Sequence, residues 1–272
     1  MSTHSRPTAL HSVFERTLHE QRRPLAVWSL SLLAFSLVMA AMYPTVRGNP
    51  MLANLHESYP SALRSLFDIA DMTTPVGFLR VEVFSLVAPL LLTVLAVLWG
   101  GDMIAGEEDR KTIDILLANP VSRRRVLLEK WAALVVGVVV AGAGLAAGLA
   151  IGLPAAQMHI AAGRVAGAVA SAVLLAVLFG TVALAIGAAS GRRGTARGLT
   201  AVLAVVAYLV SSLGDLVRWL KPLRPLSPWY HALGVDPLAR GFSPAHAAVL
   251  VGLTAVVAVA AVLAFDRRDL AV

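Results

Sequence analysis

The stretch DMIAGEEDRKTIDILLANPVSRRRVLLEKW, residues Asp102–Trp131, lies between two long apolar runs, and its reading decides the fold. It is charged, yet patterned like helix. Met103, Ile104, Ile113, Leu116 and Leu117 define an apolar face. Glu107, Glu108 and Asp109 crowd the N-terminal half, where the helix dipole favours acids. Pro120 ends this helix, since proline lacks an N–H and disfavours helix in the residue before it. Ser122 is placed to cap a second helix that runs through Arg123, Arg124 and Arg125 into the next apolar run. The pattern predicts a rigid, charged lever joined directly to two apolar helices. The plainer reading is a solvated loop.

Outward from this stretch the chain is apolar. Of its 272 residues 58% are hydrophobic and 14% charged, and the mean hydropathy is +0.76. Soluble domains carry about 25% charged residues, so composition excludes an ordinary soluble fold. Crossing a bilayer as helix takes about 20 apolar residues. Runs of that size occur near 25–44, 83–101, 131–153, 165–189, 198–217 and 246–265. The alternation expected of a membrane barrel is missing, so the spans are helices with internally satisfied backbones. The expectation is an all-α membrane protein with six transmembrane helices, an N-terminal interfacial helix and a cytoplasmic helix between spans two and three. It forms a single domain over 1–272, divided into 1–24, 25–101, 102–130 and 131–272. No internal repeat stands out.

Charge sets the orientation. Fifteen of the 23 Lys and Arg residues lie in 1–24, 102–130, 190–197 and 266–272. The positive-inside rule places these segments, and both termini, in the cytoplasm. Residues 45–80, with helix-like pieces around Ser61–Ala70, and 218–245 then face outward. Ala9, Leu10, Val13, Phe14, Thr17 and Leu18 recur at helical spacing, so an amphipathic helix is expected in the membrane interface, turning at Pro24 into the first span. This N-terminus does not read as a cleavable signal, because its apolar run starts late and is of full-span length. The outer loop containing Trp219, Pro222, Pro225, Pro228, Trp229 and Tyr230 is expected on or in the outer leaflet. A flexible surface loop is the alternative.

Most catalytic chemistry is excluded. There is no cysteine, hence no disulfide, thiolate or zinc-thiolate site. The seven histidines are scattered without an i, i+4 pair beside an acid. No G-x-S-x-G elbow occurs. The net charge of +7 sits next to the spans with no basic stripe and interleaved aromatics, which excludes a nucleic-acid partner. Glu82, two residues after Arg80, and Asp215, near Arg218, are the acids closest to the spans. Each either snorkels to the surface or contacts a transported substrate. Gly144, Gly148 and Gly152 share one helix face, and Gly163 and Gly167 repeat the spacing. Such faces let helices approach closely, within one subunit or across a dimer seam.

The segment resembles the cytoplasmic motif of the ABC-2 family of transporter permeases. The match runs through Ile104-Ala105-Gly106-Glu107-Glu108, Thr112-Ile113-Asp114, Leu116-Leu117, Pro120-Val121-Ser122-Arg123 and Lys130. Leu226-Ser227-Pro228 and the six-span layout add to it, while Lys111 stands where the family has Gly. The resemblance implies a permease in a bacterial plasma membrane, paired with a second copy or a paralogue. It further implies two cytoplasmic ABC ATPase subunits that carry ATP and magnesium. Glu107, Glu108, Thr112, Leu116, Pro120 and Arg123 would then be ATPase-coupling residues on an exposed element. This chain has no G-x-x-x-x-G-K-[ST] loop: its lysines, Lys111, Lys130 and Lys221, never follow Gly. The expectation is therefore no enzyme activity and no cofactor of its own. The cargo expected in the apolar interior is an amphipathic drug, antibiotic, lipid or peptide, exported outward; sodium or polysaccharide export is also compatible. The competing classes are an intramembrane lipid-modifying enzyme or protease, which would need convergent ionisable residues in the spans, and an ATP-independent scaffold.

Overall fold

The computed structural model describes residues 12–47, 72–109, 122–214 and 216–267. Among them there is no strand. Six helices are long and apolar enough to cross a membrane. They are α1 (Val13–Arg47), the span built from α2 (Pro75–Leu79) and α3 (Val87–Met103), α5 (Arg123–Ala155), α6 (Ala162–Ser190), α7 (Arg193–Leu213) and α9 (Pro244–Arg267). Short pieces join them: α4 (Ala105–Asp109), a 3-10 turn at Lys221–Leu226, a π-turn at Tyr230–Gly234 and α8 (Pro237–Arg240). Another π-turn, Arg80–Phe84, lies between α2 and α3. The chain is an all-α membrane protein. Thr74 caps α2 through its hydroxyl, with Pro75 at the first position, where its missing N–H costs nothing. Gly191 ends α6 at φ 65°, a left-handed conformation that favours glycine.

The N-terminal helix departs from expectation. It does not turn at Pro24, which lies inside a continuous 35-residue helix. Pro24 removes one backbone bond, but the residues before it are anchored elsewhere. The Phe14 N–H donates to the Glu129 carboxylate at 3.1 Å, Arg16 pairs with Glu20, and Phe14 and Leu18 pack on the core. Tertiary contact with the start of α5 therefore keeps the helix continuous across the proline. Residues 1–11, with Ala9 and Leu10, lie outside the described residues, as does Ser61–Ala70.

Close helix contacts set the packing. A Cβ on Gly144 would lie 2.5 Å from the Ser29 carbonyl oxygen, one on Gly148 2.4 Å from that of Leu33, and one on Gly152 2.6 Å from Ala40 Cβ. The glycine stripe of α5 is thus filled by α1 of the same chain. A second contact of this kind was not legible in the sequence: a Cβ on Gly100 of α3 would lie 2.2 Å from the Gly180 carbonyl oxygen of α6. Helix α6 is the central element, with Leu175, Ala176, Leu184 and Ala188 fully buried. Helices α1, α7 and α9 are peripheral and turn apolar faces outward, among them Val27, Leu30, Val202, Val206, Val256 and Val259.

Candidate functional site

The charged lever begins inside the bundle. Met103 and Ile104, read as the start of the lever's apolar face, are core residues of the bundle. Helix α3 runs on to Met103, and its buried stripe continues through Ile104 and Ala105 against Leu127 and its neighbours. Only α4 then emerges. Thr112, Leu116 and Pro120 lie outside the described residues, which resume at Ser122. Ser122 does cap α5, accepting the Arg125 N–H at 3.4 Å.

The charges at this end are tied together rather than free. Glu107 was expected on an exposed element. Its side chain is 16% exposed and ion-paired with Lys130, which is 4% exposed on α5. Asp102, at the end of α3, meets Arg197 of α7 at 2.8 Å and Arg193 at 3.6 Å. Arg193 also reaches Asp109 of α4 at 3.4 Å. Arg197 further donates to the Leu98 carbonyl at 3.2 and 3.3 Å. Glu129 holds Arg125 at 2.7 Å and the Phe14 backbone, while Arg124 pairs with Asp266 near the end of α9. The ends of all six spans except α6 itself are thereby bridged by charge, and α6 connects through the short turn to Arg193. Arg123 and Glu108 are half-buried in the same region.

These pairs differ in weight. The exposed ones contribute about 0–1 kcal/mol each. Lys130 and Glu107 are different, because a buried charge that loses its partner is strongly destabilising. In the sequence Arg193 and Arg197 mark topology, and Lys130 marks topology and closes the family motif. Nothing in their spacing shows that they point inward, since the acids they meet come from other helices.

Directly above this network is a groove of about 490 Å³ between α3 and α7. Leu90, Val94, Val97, Ala201, Val205 and Tyr208 line it, with Arg197 at its charged end. Trp229 also lines it, delivered by the loop after α7. That loop dips into the bundle: Trp229 is 3% exposed, and the Ser227 hydroxyl donates to the Ala207 carbonyl at 2.7 Å and accepts the Trp229 N–H. The wall is apolar, but Thr93 Oγ1 and Trp229 Nε1 are buried at it without a hydrogen-bond partner among the described residues. Arg80 anchors the same loop, pairing at 2.8 Å with Asp236.

Of the two expected pathway residues, Glu82 does not line this groove. Glu82 sits half-buried in the π-turn at the opposite end of the second span, and its neighbour Arg80 turns to Asp236 instead. Asp215 lies outside the described residues, and Arg218 is exposed. Among the described residues no group of three metal-binding side chains occurs.

An apolar six-helix bundle with a charged lever root and a membrane-level groove defines a multi-pass transport subunit. Comparison of the sequence agrees: a family model described as ABC-2 family transporter protein matches residues 12–270. The chain belongs to this family of ABC transporter permeases, and membership implies an ATP-binding partner subunit. The chain is also 51% identical over 41 residues to the ABC transporter permease protein NatB of Bacillus subtilis (strain 168). That match covers 15% of this chain and 11% of NatB.

Proposed function

We propose that the chain exports an amphipathic compound across a bacterial plasma membrane, with both termini and residues 102–130 in the cytoplasm. ATP and magnesium are held by two copies of a separate ATPase subunit, and a second permease copy or paralogue completes the pathway. The observation that carries this reading is the meeting of groove and lever at Arg197. One guanidinium lines the apolar groove and pairs with Asp102, seven residues before the end of the described lever root at Asp109. Movement of the lever therefore reaches the groove wall through the ion pairs of Arg197 and Arg193 with Asp102 and Asp109.

In this reading Glu108, Thr112, Leu116, Pro120 and Arg123 form the surface that meets the ATPase. Glu107 serves differently: it fixes the lever root to α5 through Lys130. Arg123 is only half-buried, at the first turn of α5, so its substitution costs far less stability than that of a core residue, whereas charge reversal in a matched contact costs up to several kcal/mol of binding, about 2–5. Arg123→Glu is accordingly expected to leave the protein inserted and abundant, and to lower ATPase recovery and transport at least about tenfold. Expression, complex recovery and transport are measured in the same cells. Wild-type transport, or loss through degradation alone, overturns the assignment.

Orientation has its own test. The chain has no cysteine, so single cysteines report without background. An impermeant thiol reagent added to intact cells is expected to label Ser58→Cys and Ser243→Cys and to leave Ser190→Cys unlabelled. Labelling of Ser190→Cys from outside refutes the proposed orientation.

A further inference from the structure

His231 and His246 look unrelated in the sequence, yet the fold brings them into contact. Their Nδ1 atoms are 2.8 Å apart, and His231 Nε2 is 2.7 Å from the Pro225 carbonyl oxygen. A carbonyl oxygen only accepts, so His231 Nε2 carries hydrogen. In the neutral ring its Nδ1 is then a lone pair, and the hydrogen between the two rings belongs to His246 Nδ1. His246 Nε2 is left as the open basic nitrogen. Imidazole is the side chain that changes charge between about pH 5 and 8.

This geometry makes the two protonations unequal. The first proton adds to His246 Nε2. It keeps the Nδ1–H directed at His231 and turns the contact into a charge-assisted bond, the stronger kind. The second proton has only His231 Nδ1 to take, the atom that accepts that bond. Two N–H groups would then face each other between two cations whose ring centroids are 5.1 Å apart. The contact must open.

We propose that His231 and His246 form a proton-operated clasp, tightened by one proton and released by the second. It fastens the π-turn Tyr230–Gly234, next to the groove residue Trp229, to the start of α9. Tyr230 stacks edge-on against both rings at 5.4 and 5.8 Å, and the Arg224 guanidinium lies 5.2 Å over Tyr230. The other ionisable groups of the packed elements are Lys221 on the 3-10 turn, Arg164 at the start of α6, and Asp236 and Arg240 of the α8 region. Asp236 is occupied by Arg80, and no ion pair joins a described carboxylate to either histidine. The second proton meets the charge already carried by His246, which opposes it. The clasp does not depend on the transport reading.

The test uses the full chain in lipid nanodiscs and reads structure rather than transport. Histidine ring NMR, assigned with the variants below, is expected to show the two rings taking up protons in sequence rather than together. Amide exchange over 229–236, corrected for the intrinsic effect of pH, should be slowest between the steps and at least about tenfold faster below the second. In His246→Ala exchange should be fast at every pH, with His231 titrating in one step. In His246→Gln the side-chain amide can still donate to His231 Nδ1, so neutral-pH protection is retained and the strengthening at intermediate pH is lost. Simultaneous titration of both rings in the wild type overturns the proposal, as does an acid-induced rise in exchange that persists unchanged in His246→Ala.

Discussion

Glu107→Ala is expected to destabilise the protein by about 3–5 kcal/mol, the cost of leaving a buried charge without its partner. Lys130 is 4% exposed, so its ammonium cannot recruit bulk water when the carboxylate is removed. The pair also joins α4 to α5, so its loss frees the root of the lever as well as weakening the bundle. The double variant Glu107→Leu, Lys130→Met removes both charges and replaces them with apolar volume, and is expected to recover most of the loss. Unfolding in detergent, by heat or by added denaturing detergent, compares the three proteins. Should Glu107→Ala unfold like the wild type, the pair is no anchor, and Glu107 returns to the exposed lever surface.

Gly148→Leu should be the most damaging substitution within the Gly144, Gly148 and Gly152 stripe of α5. Even a Cβ at this position would lie 2.0 Å from Ser36 Oγ and 2.4 Å from the Leu33 carbonyl oxygen. Backbone cannot step aside as a flexible side chain can, so α1 and α5 must separate along the stripe. Overpacking costs about 1–3 kcal/mol and occasionally more, and this site belongs at the upper end. Gly252→Leu is the control, because nothing lies within 4 Å of its Cβ position. Folded yield and unfolding midpoint are the readout for both. If Gly148→Leu folded normally and changed only the association of copies, the stripe would be a seam between subunits rather than the packing of α1 on α5.

Much of this protein is legible residue by residue, where the cause is local or bulk. Six runs of apolar residues dictate six helices, because lipid offers no partner to an open backbone. Ser122 ahead of three arginines marks a helix start, and a hydroxyl at that position does accept the Arg125 N–H. The aromatics and prolines of the loop at Trp229 point to a segment on or in the outer leaflet, whereas Trp229 is buried among the helices of the bundle.

What the residues alone could not settle depends on partners distant in sequence. Pro24 signals a turn locally, yet the contact of Phe14 with Glu129 keeps α1 continuous. Met103 and Ile104 have the same helical spacing whether exposed or buried, and only their neighbours on other helices make them core. Glu107 reads as one more surface acid until Lys130 is brought beside it from the next helix. His231 and His246 carry no periodic signal, and the return of the chain after the buried loop is what sets one ring against the other. Hydropathy and capping act within a few residues and can be read along the chain. Ion pairs, tautomers and glycine contacts are properties of two helices at once, and become definite only when those helices are packed.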